Sequence, residues 1–587
     1  MQGAWVLEGD RASLPGQAPQ DVRHPLPQPG LTLNPHFIKF QGTGCHDSVM
    51  KEVELKFQVP PSARKTVEAA VVGRESARRI RLRAAYFDTP TGALAAAGLA
   101  LRLRKEGRAW VQTLKGTLPD GTSMTRAEHN VPRSETGAAV PEIHPLLHAD
   151  TAVGAALMKV LRAADAGLQQ RMSTDIWRRA RTVRVAGGVV ELAFDVGVIT
   201  AGVSVPPRQL PVCELEIELK RGSPQAGVAT AQRWVARHGL WLDTRSKAEL
   251  GHLLARDDAM AEACHAGGVK LAKTMTSAAA LDAVLRSCLA QISVNASQIA
   301  SGRHAPEHTH QLRVGLRRLR TALRFFDGSR LADAIDAATR EQLAADAATL
   351  FRQLGEARDR AAVAEPLAIE LARALAAVGQ SGEPPRLPDS GDEVDPTALV
   401  RQAVAQRLML NLIARVQGSE PETAPAAAGR ATAVPADPAV SAAVVPDALL
   451  SLRQRLAKRL DRWHRQVRVD AQASDTLDDE GRHRLRKRIK RLRYAAEFSA
   501  SLFDERAVRG YLKALRALQE RLGVFNDVAV GIARYSAAAP ADARALFALG
   551  WLASQRERAL IACKPDLKRF VGSARFWRER SKKSTNN

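Results

Sequence analysis

The sequence is poor in cysteine, and its few cysteines form no recognisable site. Cys45, Cys213, Cys264, Cys288 and Cys563 are scattered over 587 residues, odd in number and without a C-x-x-C pair. This spacing fits neither a disulfide framework nor a zinc site. The expected compartment is therefore a reducing cytoplasm.

Long apolar runs and nucleotide-binding loops are missing as well. No stretch approaches the roughly 18 apolar residues of a membrane span, and the N-terminus carries Glu8, Asp10 and prolines where a signal peptide needs an apolar stretch. We expect neither export nor membrane insertion. The P-loop motif (G-x-x-x-x-G-K followed by Ser or Thr) is also absent, which excludes a P-loop hydrolase.

Acidic and aromatic residues are under-represented. The chain has 62 Asp and Glu against 86 Lys and Arg, a formal net charge of +24, and only 4% aromatic residues. This charge predicts a polyanionic partner, whether nucleic acid, phosphates or an anionic membrane surface. The abundance of Ala, Leu and Arg predicts that helix dominates much of the chain.

Hydrophobic periodicity divides the chain into two parts. From about residue 50 to 255 apolar and polar residues alternate, which predicts strands, and from about 275 to 580 apolar residues recur every three or four positions, which predicts amphipathic helices. Met50 stands directly before the first patterned strand and is an alternative start to Met1. The predicted organisation is a disordered leader at 1–48, a strand-rich domain at 49–255, a linker at 256–274, a helical domain at 275–578 with a disordered insertion at about 378–446, and a disordered tail at 579–587.

The predicted strands carry charged faces. Because side chains two apart in a strand point the same way, Glu52, Glu54 and Lys56 share one face, and Glu214 and Glu216 share another. A solvated sheet face explains any single strand of this kind. Carboxylates spaced about 6.6 Å apart repel one another, however, unless basic side chains or a cation face them. Closing the sheet into a barrel would bring acids and bases together, and hard cations such as Mg²⁺ or Mn²⁺ take carboxylate and phosphate oxygens at once.

The E-x-E-x-K triplet at 52–56 resembles the signature of the CYTH superfamily, the triphosphate tunnel enzymes that include inorganic triphosphatases, thiamine triphosphatases and class IV adenylate cyclases. Further elements that match the family follow in the same order, at 86–89, 101–104, 113–115, 126–128, 191–195, 213–218 and 246–248. The resemblance implies an antiparallel β-barrel tunnel that hydrolyses inorganic triphosphate to phosphate and diphosphate with Mg²⁺ or Mn²⁺.

Carried over by position, the resemblance implies three sets of site residues. The catalytic set is Glu52, Glu54 and Lys56. The substrate-binding set is Arg102, Arg104, Lys115, Arg126, Arg178 and Lys247. The metal-binding set is Glu52, Glu54, Asp195, Glu214 and Glu216. Arg181 remains an alternative to Arg178, because both lie in one basic segment, and Glu218 shares the face of Glu214 and Glu216 without an assigned role.

The helical part contains an internal repeat. Segment 310–320 matches 483–493 in register, and a second shared element follows each copy, at 354–359 and 522–527. Each copy predicts a helix with an apolar stripe beside a basic stripe. A solvated bundle helix is the ordinary explanation, but both copies lack the acidic residues that would relieve like-charge repulsion. The pattern therefore predicts a bound polyanion, and the single histidine of each copy does not offer metal-ligand spacing.

The repeat resembles the CHAD domain, a helical module of two similar halves that is often fused to CYTH domains and is associated with polyphosphate binding. The implied polyphosphate-binding residues are His310, Arg313, Arg317, Arg320, His483, Arg486, Lys490 and Arg493. Nucleic acid is the rival ligand, although the stripes lack the aromatic platforms that single-strand binders use.

The sequence thus predicts an α+β protein in which a CYTH-type antiparallel β-barrel tunnel precedes an all-α CHAD-type bundle. The predicted function is that of a cytoplasmic inorganic triphosphatase with a polyphosphate-binding module. Two alternatives remain open: a non-catalytic polyphosphate-binding or granule-associated protein, and a class IV-type adenylate cyclase.

Overall fold

The computed structural model describes most of the chain between residues 53 and 578. The described residues are 53–73, 77–117, 126–202, 206–258, 260–327, 331, 334–379, 395–417, 450–540, 542 and 544–578. At positions 53, 117, 126–127 and 356–366 only the backbone is described. The predicted leader and tail therefore lie outside the described residues.

The first half of the chain forms one antiparallel sheet. Its strands are β1 (Val53–Gln58), β2 (Arg78–Asp88), β3 (Ala100–Glu106), β4 (Ala109–Thr117), β5 (Arg126–Arg133), β6 (Gln169–Val185), β7 (Gly188–Ala201), β8 (Arg208–Gly222) and β9 (Trp241–Leu242). The hydrogen-bonded order is β5-β4-β3-β2-β6-β7-β8-β1-β9. Side chains from β1 to β8 line one common cavity, so the sheet curves around it. The predicted antiparallel β-domain is confirmed.

The two faces of the sheet are buried in different ways. In β8, Leu215 and Ile217 are fully buried in the hydrophobic core, whereas the alternate residues Glu214 and Glu216 line the cavity. Five helices accompany the strands: α1 (Arg64–Val72), α2 (Ala93–Ala96), α3 (Ala152–Ala164), α4 (Pro224–His238) and α5 (Lys247–Ala255). The period-two pattern therefore separates a core face from a cavity face rather than from a solvated face.

The second half is helical, as predicted. Its helices are α6 (Ser277–Ala300), α7 (Pro306–Phe325), α8 (Ala337–Ala377), α9 (Pro396–Arg401), α10 (Ala403–Gln417), α11 (Leu452–Gln472), α12 (Asp479–Ser499), α13 (Glu505–Ala538) and α14 (Ala545–Val571). We call residues 277–571 the helical module. Helices α6, α7, α8 and α10 pack into one bundle, and α11 to α14 pack into another. The bundles meet where α7 contacts α12 and where α8 contacts α13 and α14. The repeated segments thus lie on equivalent helices of the two bundles.

The prediction of a disordered insertion at about 378–446 is wrong in its central part. Residues 396–417 form α9 and α10, and Leu408, Leu412 and Ile413 are buried in the core. Leu412 follows Leu408 by four positions and Ile413 by five, so all three lie on one face of a helix. The Ala/Pro-rich stretches on either side obscured this helical pattern in the sequence. The rest of the predicted insertion, apart from its first two residues and Asp395, lies outside the described residues.

One described helix, α6, is long and apolar enough to cross a membrane by length and composition. Of its most apolar window, 72% is buried inside the protein. Side chains on nearly all sides of α6 are covered by other helices, which is typical of the central helix of a bundle. Its apolar character is explained by this packing.

The sheet and the helical module share one hydrophobic core. A single cluster of buried side chains includes Phe57 and Leu242 of the sheet together with Leu289 and Leu408 of the helical module. The predicted linker at 256–274 contributes to the same cluster through Leu271. The two parts are therefore joined by packing as well as by the chain.

Candidate functional site

The curved sheet encloses a cavity of about 330 Å³ that is lined mainly by charged side chains. The acidic lining residues are Glu54, Glu128, Asp195, Glu214, Glu216, Glu218 and Asp243. The basic lining residues are Lys56, Arg102, Arg104, Lys115, Arg178, Lys220 and Lys247. We call this cavity the tunnel. The predicted meeting of acidic and basic strands thus occurs inside it.

Three carboxylates form the acidic centre of the tunnel, and we call Asp195, Glu214 and Glu216 the acidic trio. One oxygen from each lies within 4.8 Å of the other two. The register causes this proximity, because Asp195 of β7 is paired with Glu214 of β8, and Glu216 lies two residues further along the same face. Asp195 and Glu214 are almost completely buried.

Among the described cations, Lys247 and Arg178 lie closest to the acidic trio. The Lys247 ammonium lies 2.8 Å from Asp195 Oδ2 and 3.0 Å from Glu216 Oε1, and it also contacts Glu214. Burial alone would lower the pKa of Lys247, but the three carboxylates raise it well above its ordinary value. Arg178 donates from Nε and Nη2 to the two Asp195 oxygens, both at 2.7 Å, and contacts Glu216. Lys247 and Arg178 therefore stay charged inside the tunnel.

The facing wall is basic and only partly satisfied. Lys115 pairs with Glu128 at 2.5 Å, and Arg102 Nη1 donates to the Tyr86 hydroxyl at 3.4 Å. Within the described residues, the Nε atoms of Arg102 and Arg104 are buried and lack a hydrogen-bond partner. Burial and the neighbouring Arg102 lower the pKa of Arg104. A bound anion would satisfy these donors and reduce the repulsion between the two guanidinium groups.

A second acid–base pair, Asp243 and Arg245, follows β9, and Asp243 lines the tunnel. Arg245 donates to both oxygens of the fully buried Asp243, at 2.9 and 2.8 Å. Burial would raise the pKa of Asp243, but Arg245 and Lys56 lower it to about 2. Lys56 also lies 3.5 Å from Glu214 and donates to the Arg245 carbonyl. Lys56 thus links this pair to the acidic trio.

The donor set of the trio fits a hard divalent cation. Three carboxylate oxygens within 4.8 Å can converge on one ion, and Mg²⁺ or Mn²⁺ prefers such oxygens. The Lys247 ammonium contacts all three carboxylates, so an ion would compete with it for them. Glu54 lines the tunnel on β1, and Glu218 is paired with Lys220 at 2.5 Å.

Some predicted site residues lie outside this description. Glu52 is outside the described residues, and of Arg126 only the backbone is described, at the start of β5. Arg181 points away from the tunnel and donates to the Ala70 carbonyl of α1, whereas Arg178 lines the tunnel. The two arginines are three residues apart in β6, and an odd spacing puts side chains on opposite faces.

Among the residues in or next to the tunnel, sequence reasoning assigned no role to Tyr86, Asp243 and Arg245. Tyr86 belonged to a matched element but was given no function, although its alternation with Ala84 in β2 could have placed it on the cavity face. Asp243 and Arg245 follow a strand of only two residues, so there was no period to reveal which way they point.

In the helical module, the two basic stripes face each other where α7 contacts α12. The two helices pack against each other. Burial and the positive charges of Arg317 on α7 and Arg486 on α12 lower the pKa of Lys490 to about 7. Phe351 of α8 lies beneath the α7 stripe, with the guanidinium groups of Arg313, Arg317 and Arg320 at 5.2, 5.3 and 5.7 Å from its ring centroid.

The second stripe has more partners than its sequence indicated. Arg493 pairs with Glu497 at 2.8 Å, one turn beyond the segment that contains no acidic residue. His483 Nδ1 lies 2.8 Å from Asn526 Oδ1, which joins the first shared element of this half to the second. The corresponding His310 is partly buried and has a partner of its own. Of Asp359, only the backbone is described.

A basic cavity of about 310 Å³ adjoins the stripes. Its cationic lining residues are Arg324, Arg459, Arg462, Arg488 and Arg491, with Asp327 as the one acidic residue among those that line it. Arg324 continues the α7 stripe by one turn. Burial lowers the pKa of Arg491, and the positive charges of the neighbouring Arg324 and Arg320 lower it further. The basic surface therefore extends from the stripes into this cavity.

The fold and the site define a class of protein in which a curved antiparallel sheet encloses a charged tunnel, here with a helical module attached. The family model of the CYTH domain matches residues 50–249, and that of the CHAD domain matches residues 283–536. The chain thus contains a CYTH domain followed by a CHAD domain.

Relatives of each part are also found. An inorganic triphosphatase of Haemophilus influenzae is 29% identical over 175 residues, which cover 29% of this chain and 44% of that protein, so the match spans less than half of the relative. The CHAD domain of Ricinus communis is 26% identical, covers 52% of this chain and 96% of that one, and has a TM-score of 0.38. A candidate adenylyl cyclase of Hippeastrum, described as having a dominant triphosphatase activity, is 16% identical, covers 36% of this chain and 97% of that one, and has a TM-score of 0.23.

Proposed function

We propose that the tunnel hydrolyses inorganic triphosphate to phosphate and diphosphate, and that the helical module binds inorganic polyphosphate. The observation that carries the first part is the basic wall across from the acidic trio, where the Nε atoms of Arg102 and Arg104 are buried and lack a hydrogen-bond partner among the described residues. A short phosphate chain has acceptor oxygens on every phosphorus and several negative charges, so it complements the basic wall. Its terminal phosphoryl group would then lie towards the trio.

The proposal assigns a role in binding or catalysis to the charged side chains of the tunnel. Arg102, Arg104 and Lys115 bind phosphate oxygens by charge-assisted hydrogen bonds, and Arg178 stabilises the charge that develops during phosphoryl transfer. Carboxylates of the trio accept hydrogen bonds from the attacking water and orient it. A Mg²⁺ or Mn²⁺ ion held by the trio, with Glu54 nearby, would supply Lewis-acid polarisation of phosphate oxygens.

The test is phosphate release from triphosphate, ATP and long-chain polyphosphate with Mg²⁺ or Mn²⁺, with cyclic AMP measured in parallel. We expect triphosphate to be the best substrate. Arg102→Met should raise KM at least tenfold, because it removes a buried donor of the basic wall. The matched control is Arg181→Met, an arginine of β6 that points away from the tunnel, and it should leave turnover within twofold.

Three results would contradict the tunnel assignment. Cyclic AMP formation would favour the cyclase, retention of polyphosphate without turnover would favour a non-catalytic binding protein, and equal kinetics of both arginine variants would refute the role of the basic wall. A cytoplasmic location stays a prediction of the sequence.

The polyphosphate part of the proposal rests on the convergence of the two stripes and the basic cavity beside them. A linear polyanion can follow this surface, because its charges are spaced along a flexible chain. Arg324→Glu and Arg491→Glu, on α7 and α12, should each raise the Kd for labelled polyphosphate at least tenfold and reduce the dependence of log Kd on log salt. Arg509→Glu is the control, since Arg509 lies on α13 and is exposed.

Single-stranded RNA serves as the competitor in the same assay. We expect polyphosphate to bind more tightly than RNA of equal charge, because the described lining residues of the cavity include one aromatic side chain, Trp463, rather than a row of stacking platforms. Tighter binding of RNA would instead identify the module as a nucleic-acid binder.

A further inference from the structure

The outer edge of the sheet is formed by β9 and the residues that follow it. We call residues 241–247 the edge segment. Strand amides alternate in direction along such an edge. The Asp243 amide donates inward, to the Lys56 carbonyl of β1 at 2.9 Å. The amides of its neighbours, Leu242 and Thr244, donate in the opposite direction, where another strand would normally pair.

Side chains of the helical module take the place of that missing strand. The Leu242 amide donates to Gln406 Oε1 at 2.8 Å, and the Thr244 amide donates to Ser297 Oγ at 3.0 Å. The Gln406 amide group is fixed at its other end, because Nε2 donates to the Val400 carbonyl at 2.7 Å. Gln406 and Ser297 are each only 1% exposed. The module thus holds the edge segment by its backbone, inside the protein.

The same edge segment carries groups of the tunnel. The Lys56 ammonium donates to the Arg245 carbonyl, and the Arg245 guanidinium is paired with Asp243. Two residues further, Lys247 lies among the carboxylates of the acidic trio. The residues from Asp243 to Lys247 therefore all lie within five positions along the chain of Leu242 and Thr244, whose amides are bonded to the helical module. A displacement of the segment would move these cations.

We infer that the helical module positions Lys56 and Lys247 in the tunnel, and that Ser297 and Gln406 are positioning residues for the reaction. This inference rests on the proposed hydrolysis. Arg102, Arg104 and Lys115 lie on strands far from the edge segment in the hydrogen-bonded order, so substrate binding should depend less on the module than catalysis does. A shift of about 1 Å in a catalytic centre can reduce the rate roughly 100-fold.

The experiment compares the full-length protein with the variant Ser297→Ala/Gln406→Leu, which removes both acceptors and adds no charge. We expect kcat for triphosphate to fall at least tenfold, while KM changes less than threefold. Hydrogen exchange of the peptide covering residues 241–250 should become faster, because the two outward amides lose their partners. Titration calorimetry without substrate should show that the double variant binds Mn²⁺ several-fold more tightly than the wild type. A displaced Lys247 competes less with the ion for the carboxylates of the acidic trio.

A matched control comes from the same interface. Gln232 Nε2 donates to Asn411 Oδ1 at 2.7 Å between α4 and α10, away from the edge segment. Gln232→Ala should leave kcat and Mn²⁺ affinity within twofold of the wild type. A sample that is merely less stable would lose active protein without any change in Mn²⁺ affinity per folded molecule. If the double variant unfolds, Ser297→Ala alone decides, with an expected fall in kcat of at least threefold.

The two proposals fail in different ways. If the wild type does not release phosphate from triphosphate, the proposed hydrolysis is wrong, and exchange and Mn²⁺ binding still test the positioning of the segment. If the wild type is active but the double variant retains its kcat and its Mn²⁺ affinity within twofold, the inference is overturned.

Discussion

Replacing Lys247 with methionine should make the tunnel depend on a divalent cation for its stability. Methionine is unbranched and of similar length, so it fills the space of the lysine stem without the ammonium. In the wild type the ammonium contacts all three carboxylates of the acidic trio, and two of these are almost completely buried. The substitution leaves Arg178 beside Asp195 and Glu216, and Lys56 at 3.5 Å from Glu214.

The magnitude follows from the cost of an uncompensated buried charge. Removing one partner of a buried ion pair destabilises a protein by about 3–5 kcal/mol. Because Arg178 still compensates Asp195 and Glu216, we expect the lower end, about 3 kcal/mol. For a domain of roughly 200 residues, each kcal/mol shifts Tm by about 2–4 °C, so the expected loss is about 6–12 °C.

Mn²⁺ should restore most of this loss in the variant. The ion no longer competes with an ammonium, and a ligand at 100 times its Kd stabilises the folded state by about 2.7 kcal/mol. The assay is thermal unfolding followed by circular dichroism, with chelator and then with Mn²⁺. Lys65→Met is the control, because Lys65 is exposed on α1. Two results would refute the reasoning: an unchanged Tm of the Lys247 variant in chelator, or equal Mn²⁺ stabilisation of variant and wild type.

Two further predictions concern protons. The pKa of Asp243, about 2, lies below its ordinary value, so the charged group stabilises the fold above pH 4 and loses this effect as the pH falls from about 4 to 2. The free energy of unfolding of the wild type should therefore exceed that of Asp243→Asn by about 1 kcal/mol less at pH 3 than at pH 5, as measured by denaturant unfolding. A difference that does not change with pH would contradict the assigned pKa. The pKa of Lys490 is about 7, because of burial and the nearby arginines, and bound polyphosphate should raise it. Calorimetry at pH 7.5 in two buffers should show an uptake of roughly 0.7 proton on binding that Lys490→Arg abolishes; an equal uptake by the variant would identify another group.

The sequence predicted the parts of the tunnel that depend on strand periodicity. Residues two apart had to share a face, which is how Glu214 and Glu216 of β8 came together on the cavity side. The repeat predicted two equivalent helices, and α7 and α12 are those helices. Both patterns are local, so no knowledge of the fold was needed to recognise them.

The parts that the sequence did not predict depend on distant segments. Lys247 meets Glu214 across 33 residues, and Gln58 meets Asp243 across 185. A pairing between segments so far apart leaves no periodic signal in either of them. The helices α9 and α10 were missed for another reason, because their apolar face was short and lay between Ala/Pro-rich stretches.

The hydrogen bonds between the edge segment and the helical module have a consequence for protein synthesis. Leu242 precedes its partner Gln406 by 164 residues, whereas Thr244 precedes Ser297 by 53. A ribosome that adds roughly 5–20 residues per second needs roughly 8–33 s to translate from Leu242 to Gln406. During that interval the nascent sheet has an incomplete border, which other nascent chains could pair with. The hydrogen bond that completes this border can therefore form only after Gln406 has been translated.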